Sequence, residues 1–417
     1  MPSSRSSSAS QANVDRTEAS SPQSSQMSPQ TQESVETLPS TQKQQQRYKP
    51  THAPALSPSN IPTSPDFGKN QHLSMDEEVK ERFRQVVAEF SAPIRYAFAY
   101  GSGVFAQKGY DLENKPMVDF IFGVSHPSHW HYLNLQNRPG DYSFLGKLGS
   151  STVSFVNNKL GAGVYFNPYV KINGMTLKYG VVSIDTLCQD LLDWRTLYLS
   201  GRMHKPIKIL RDDARVRLAN QVNLTSALRV ALLRQGDSFT EEELWDGIVG
   251  ISYRGDFRMH VGENPNKIKN IIASQTPQLR RLYAPLVSDM PNVAYVTPDG
   301  SDSPILAQDM HPKYRGLMVK KLPPNLRTRL VARYRISGEP GAKAFEGMSD
   351  QEAAMGDRIY QAVAGHPDLG QWIDDSCRDI IGGPALTQSI KGVLTAGVVK
   401  STKYAGEKLS KWWSARK

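Results

Sequence analysis

The chain has 417 residues, 39% of them hydrophobic, and a formal net charge of +10. This length exceeds one typical domain, and the positive balance points to an acidic partner, either nucleic acid or an anionic membrane. Cys188 and Cys377 lie far apart and lack metal-ligand spacing, which supports neither a disulfide framework nor a cysteine zinc site, and no run of about 18 apolar residues offers a spanning helix.

Residues 1–73 are rich in Ser, Gln, Pro and Thr and too poor in large apolar side chains to offset the entropy of ordering, so a disordered tail is expected. Arg5 and Arg16 suit a mitochondrial presequence, whereas Asp15 and Glu18 oppose one; a plain low-complexity tail fits equally well. Order is expected from Ser74, which forms an S-x-x-E capping box with Glu77. Val79, Phe83, Val87 and Phe90 then recur at helical spacing up to Pro93.

The stretch YAFAYGSGVFAQKGYDLENKPMVDFIFGV, Tyr96 to Val124, reads as two strands joined through Gly101-Ser102-Gly103, with 106–114 as helix start or loop. Period-2 alternation puts Met117, Asp119 and Ile121 on one face. A carboxylate among apolar neighbours is costly unless paired or bound to a metal, and a glycine turn can bring backbone N–H groups against a phosphate. Together they suggest a nucleotide triphosphate with Mg²⁺; a salt-bridged Asp beside an ordinary Gly-Ser turn is the alternative.

His129, Trp130 and His131 follow Pro127, and the helical i, i+4 zinc spacing is absent, which favours packing or substrate positioning. Gly149 to Phe155 reads as a strand, and Gly161 to Pro168 as a glycine turn that is either a hairpin or a close approach to a ligand. Val170 to Ile172, Asn173-Gly174 and Thr176 to Val182 form a β-hairpin carrying Lys178, which either neutralises triphosphate charge or snorkels at the surface. Asp185 follows with Ser183 as N-cap, and it either complements the helix dipole or supplies a further metal carboxylate.

A helix is expected from Ile184 to about Leu199, followed by the basic cluster Arg202, His204 and Lys205. Helices are also expected over Asn220 to Leu233 and Thr240 to Gly250, the second capped by Ser238 and Glu241. In SYRGDFRM, Arg254 and Arg258 flank Asp256, an arrangement that is either a solvated loop or a phosphate clamp, and Lys267 and Lys269 follow. Glu339 to Ile381 is acidic and weakly helical. Thr387 to Lys417 holds seven Lys/Arg against the single acid Glu407, with Ile390, Val393, Leu394, Val398, Leu409 and Trp412 on one helical face. A basic amphipathic helix ending in Trp412-Trp413 suits an anionic lipid surface; packing on the body is the alternative.

The glycine turn and Asp119 resemble the signature of the polymerase-β-like nucleotidyltransferases. More narrowly, YGSGVF, KPMVDFIFGV, HWHYLN, GAGVYFNP, LKYGVVS, YLSGRMHKPI, SYRGDFRM and ENPNKIKNI, in this order, resemble the mitochondrial phosphatidate cytidylyltransferase family, in a fungal member. The second aspartate of the superfamily pair is missing, with Met117 and Ile121 in the neighbouring same-face positions.

The resemblance implies an α+β fold: a nucleotidyltransferase domain over 74–204 with a mixed sheet, and a mainly helical winged-helix-like domain over 205–335. An acidic linker with helices (336–386) and a membrane-binding helix (387–417) would follow. It implies transfer of the cytidylyl group of CTP to phosphatidate with Mg²⁺ as cofactor, peripherally on the matrix side of the mitochondrial inner membrane and without a nucleic-acid partner. Asp119, Ser102 and Lys178 would be catalytic, Tyr100, Gly101, Ser102 and Gly103 would bind nucleotide, and Asp119 would hold the metal, with Asp185 the candidate second ligand. Arg202, Lys205, Arg254 and Arg258 would bind lipid phosphate, and Lys400, Lys403, Lys411, Trp412 and Trp413 the membrane. Two other readings are a nucleotidyltransferase for a different acceptor and a non-catalytic maintenance factor for protein import.

Overall fold

The computed structural model describes residues 61–105, 117–256, 259, 264–297, 304–339, 341–345, 356–397, 400–402 and 406. Its centre is a five-stranded mixed sheet of β1 (Tyr96–Tyr100), β2 (Val118–Val124), β3 (Tyr165–Ile172), β4 (Met175–Ser183) and β5 (Ile207–Arg211), in the order β3-β4-β2-β1-β5. β2 runs parallel to β4, and the other pairs are antiparallel. The hairpin β3–β4 turns at Asn173 and Gly174, with φ of 49° and 74°, because a two-residue turn that matches strand twist needs positive φ at both central positions.

Alternation along the strands divides the core. Val118, Phe120 and Phe122 pack beneath α1 (Glu77–Ala88) and α2 (Pro127–Asn137) through Phe83, Val86 and Trp130. On the other face, Phe98 and Ile121 meet α4 (Ile184–Asp193) and the first half of α6 (Ala214–Arg234) through Leu187, Leu191, Val216 and Ala219. The second half of α6 enters a separate core with α7 (Glu241–Arg254) and α8 (Lys267–Ser288), so one helix serves both bodies. A small antiparallel sheet, β6 (Ser238–Thr240), β8 (Ile305–Gln308) and β7 (Val293–Tyr295), lies beside these helices, followed by α9 (Pro312–Lys320) and α10 (Pro324–Arg335). The chain is thus α+β. No helix among the described residues is long and apolar enough to cross a membrane.

Several expectations are corrected. The first helix is capped by Asp76, whose side chain accepts from the Val79 N–H, and it ends at Ala88, short of Pro93. Gly149 to Phe155 is not a strand: α3 spans Ser150–Lys159 and buries Val153 and Val156. α7 is capped by Thr240 in a reciprocal box with Glu243, two residues beyond the Ser238 expected. The sheet includes β5, beyond a domain boundary at 204. The segment from 336 contains α11 (Arg358–Gly365) and α12 (Leu369–Ala396), and α12 runs straight through the expected boundary at 387. Leu369, Ile373, Cys377 and Ile380 place its first half in the helical core. Its second half is bound to the sheet body: the Gln388 amide donates to Val164 O and accepts from Ala162 N–H, while Lys391 donates to the carbonyls of Asn157 and Leu160.

The predicted helix Ile184 to Leu199 stops at Trp194, which adopts the left-handed conformation with φ 51°. Tertiary bonds offset this unfavourable geometry. The indole donates to Asn223 Oδ1 at 2.9 Å, and the Trp194 carbonyl accepts from Asn325 at 3.0 Å. The Asp190 carboxylate then gathers the loop, accepting from Thr196 N and Oγ1 with one oxygen and from Leu199 N, Ser200 N and Ser200 Oγ with the other. The short helix α5 (Ser200–Met203) follows.

Candidate active site

Tyr100, Asp119, Lys178 and Ile207 stand level with one another across four neighbouring strands. Asp119 and Lys178 are direct partners across the parallel β2–β4 ladder, and their side chains meet with Lys178 Nζ 2.9 Å from Asp119 Oδ1. Both are partly solvent-accessible, at 26% and 18%. The Lys178 ammonium also lies 4.7 Å from the centre of the Phe166 ring, which orients it by cation–π attraction.

β1 ends beside this pair. Gly101 has φ +85°, and a Cβ on it would lie 3.6 Å from Asp119 Oδ2. Its carbonyl accepts from the N–H groups of Val104 and Phe105, closing a tight turn. Ser102 and Gly103 occupy that turn, and among the described residues their N–H groups enter no hydrogen bond. The turn therefore presents backbone donors beside a carboxylate and an ammonium. Residues 106–114 lie outside the described residues.

The loop organised by Asp190 supplies more positive charge. Arg202 lies with its guanidinium 3.7 Å from the Tyr198 ring centre, donating to Tyr198 O and to Tyr100 Oη at 3.4 Å. Burial alone would lower its pKa, but Tyr198, Tyr100 and Asp119 outweigh this, and the net shift is upward. Lys205 donates to Gly201 O and Ser252 Oγ, and its ammonium is 4.6 Å from the Tyr253 ring; Lys267 approaches the same ring at 5.4 Å. Burial, then repulsion from Arg202 and Lys267, pushes the Lys205 pKa well down, with Asp256 opposing. A polyanion placed here would relieve that repulsion.

The structure brings Tyr100, Gly101, Ser102, Gly103, Asp119, Lys178, Arg202 and Lys205 to one end of the sheet and keeps others away. Asp185 is the correction among metal candidates. It sits beyond the opposite end of β4, on the order of 20 Å along the strand from Lys178 at about 3.3 Å per residue, and is paired with Arg215 at 2.7 Å. It cannot share an ion with Asp119 and takes the helix-terminal role.

Arg254 is also displaced from the basic cluster. Its guanidinium folds over Gly250 to Asp246 on its own helix, so Asp256 does not hold it in a clamp. Arg258 lies outside the described residues. His204 is buried and bonded to Asn223 Oδ1, and burial lowers its pKa to about 3, so it adds no charge to the cluster. His131 is likewise a neutral core residue on α2, lowered by burial to about 4 and bonded to Tyr142 and Asn157. Lys400 donates to Pro168 O, while Lys403, Lys411, Trp412 and Trp413 lie outside the described residues.

The aromatic partners Phe166, Tyr198 and Tyr253 carry no signal of their role in the sequence, because only the folded chain places their rings against Lys178, Arg202 and Lys205.

Among the described residues no group of three or more His, Cys, Asp or Glu side chains could hold a metal. Asp119 alone still fits Mg²⁺, which is commonly bound through one or two carboxylates, water and substrate phosphates. Its Oδ2 faces the glycine turn where such phosphates would sit.

An α+β scaffold carrying this carboxylate, glycine turn and cation cluster is suited to phosphorylated substrates. Comparison with known proteins narrows the class: the family model described as "Phosphatidate cytidylyltransferase, mitochondrial" matches residues 83–411, and the chain belongs to that family. It is 42% identical over 335 residues to the Xenopus laevis protein of that name, covering 79% of this chain and 94% of the relative. The Schizosaccharomyces pombe protein is 38% identical over 352 residues, covering 82% and 86%. The human protein is 36% identical over 318 residues, covering 76% and 67%.

Proposed function

We propose that this protein transfers the cytidylyl group of CTP to phosphatidate, yielding CDP-diacylglycerol and pyrophosphate, and that it does so peripherally on the matrix side of the mitochondrial inner membrane, for cardiolipin synthesis. The observation that carries the reading is the Asp119–Lys178 pair beside the Gly101 turn, in a chain of this family. The five-stranded sheet would be the polymerase-β-like nucleotidyltransferase core, and the helices with the small three-stranded sheet the winged-helix-like body.

An oxygen of the phosphatidate phosphate attacks the α-phosphorus of CTP; the bond from that phosphorus to the bridging oxygen breaks, and pyrophosphate leaves. The nucleophile is already ionised near neutral pH, so no strong general base is required. Catalysis rests on positioning and charge neutralisation. The N–H groups of Ser102 and Gly103 grip the β- and γ-phosphates, with Tyr100 beside them. Lys178 faces the charge that develops at the α-phosphate. Arg202 and Lys205 hold the lipid phosphate. Asp119 would hold Mg²⁺, whose chemistry is to polarise the α-phosphate and neutralise the leaving group. Lys400 and the sequence beyond it, including Lys403, Lys411, Trp412 and Trp413, would draw the protein to anionic lipid.

The test is pyrophosphate release from CTP and Mg²⁺ with and without phosphatidate vesicles, for the wild type and Asp119→Asn. Turnover that needs lipid, Mg²⁺ and Asp119 is expected. CTP binding without turnover on phosphatidate would move the reaction to another acceptor.

A further inference from the structure

Two segments far apart in sequence lie side by side on the flank of the sheet body. One is the 3₁₀ turn Phe144–Leu148 with α3, and the other is the second half of α12. Ser143 Oγ donates to Leu394 O at 2.9 Å, Lys391 reaches the carbonyls at the end of α3, and a Cβ on Gly161 would lie 3.2 Å from Gln388 Cα. Gln388, Lys391 and Thr395 form the buried stripe of the last turns of α12. The other sides of both segments carry Phe144, Leu148, Phe155, Ile390, Val393 and Leu394, each at least 41% exposed. Scattered exposed apolar residues are ordinary, but six large ones on two abutting segments are not.

The charge pattern selects what covers them. No Asp or Glu occurs between Tyr142 and Ile184 or between Ile380 and Gly406, while Lys147 and Lys159 are exposed on the first segment. The second segment leads into Lys400, Lys403, Lys408 and Lys411. Two abutting segments that expose large apolar side chains and lysines and contain no carboxylate match the boundary between acyl chains and anionic headgroups.

We propose that this two-segment face, Phe144, Leu148 and Phe155 together with Ile390, Val393 and Leu394, is the surface by which the folded body seats on an anionic lipid leaflet. The site of contact thus includes the turn before α3 and is not confined to the C-terminal tail. The choice of a bilayer rests on the lipid substrate proposed above. The apolar side chains enter the headgroup boundary while Lys147 and Lys159 meet phosphates, which fixes the orientation of the sheet body against the leaflet.

The test uses the full chain with an environment-sensitive fluorophore on Leu148→Cys. The native thiols allow selective labelling, because Cys188 and Cys377 are buried and burial pushes both pKa values up to about 12. Phosphatidylcholine vesicles containing phosphatidate should shift the emission to the blue, and phosphatidylcholine alone should do so much less. Separately, a Phe144→Ser/Phe155→Ser/Ile390→Ser variant with unchanged circular dichroism and CTP affinity should bind anionic vesicles at least tenfold more weakly. An unshifted probe on vesicle-bound protein, or full vesicle affinity in the serine variant, overturns the proposal. A blue-shifted probe before lipid is added, growing with protein concentration, overturns it in favour of a second copy; the same shift at all concentrations does so in favour of this chain's own tail. Vesicle docking through this face without any CDP-lipid formation would refute the proposed reaction and leave the surface standing.

Discussion

Lys178 Nζ and Asp119 Oδ1 meet at 2.9 Å across the one parallel ladder of the main sheet, so the charge pair is fixed by strand register and not by flexible loops. This geometry keeps an acid and a base together at the mouth of a glycine turn before any substrate arrives. Asp119→Asn should lower turnover about 10³-fold or more and raise the Mg²⁺ concentration required, whereas Lys178→Met should cost about 10²-fold with Mg²⁺ dependence largely kept. Steady-state kinetics over a Mg²⁺ titration checks both. Equal effects of the two variants on Mg²⁺ dependence would contradict the division of roles.

Asp190 accepts five hydrogen bonds, which set the loop carrying Tyr198 and Arg202. In Asp190→Asn one oxygen becomes an NH₂ group aimed at donors. Stability should fall by about 2–4 kcal/mol, read by denaturant unfolding, and the KM for phosphatidate should rise even at temperatures where the variant is folded.

Gly161 has φ +59°, and a side chain there would press on Gln388. Gly161→Ala should cost about 1–2 kcal/mol and speed amide exchange in the second half of α12 more than in its first half. Hydrogen-exchange mass spectrometry distinguishes this from uniform destabilisation.

Lys391 is buried, and burial lowers its pKa from the usual 10.5 to about 7. Below pH 7 both folded and unfolded chains hold the proton, and the cost of burying the charge is present in full. As pH rises from about 7 towards 10.5, the unfolded chain binds more protons than the folded one, so stability rises across that window. Its neighbour His131, lowered to about 4, stays neutral throughout. The wild type should gain on the order of 2–4 kcal/mol relative to Lys391→Met across that range, measured by urea unfolding at matched ionic strength.

The hairpin at Asn173-Gly174 and the shared face of Asp119 and Ile121 were legible because both follow from local rules, turn chemistry and period-2 alternation. Lys178 was legible as a strand residue, but its pairing with Asp119 required the β2–β4 register. α3 was hidden by Gly149 and its β-branched residues, which imitate a strand, and its helix is secured by burial of Val153 and Val156. The break at Trp194 was invisible because Asn223 and Asn325, distant in sequence, hold it. Arg254 looked like a phosphate ligand beside Asp256, yet its partner lies two helical turns back at Asp246. Local structure is thus illegible in the sequence where long-range contacts, or side-chain choices among several partners, decide it.

α12 spans 28 residues, about 42 Å at 1.5 Å per residue, and works as a clasp: one half is locked in the helical body and the other is fastened to the sheet body. Charge along the sequence invites a cut at 387, but a chain shortened there loses Gln388 and Lys391 and leaves the clasp open. Loss of lipid binding in such a fragment would report an unfastened seam as much as a missing tail. Gly397, at φ 78°, ends the helix and marks the natural place to cut, since everything that fastens α12 to the sheet body up to Thr395 is then retained.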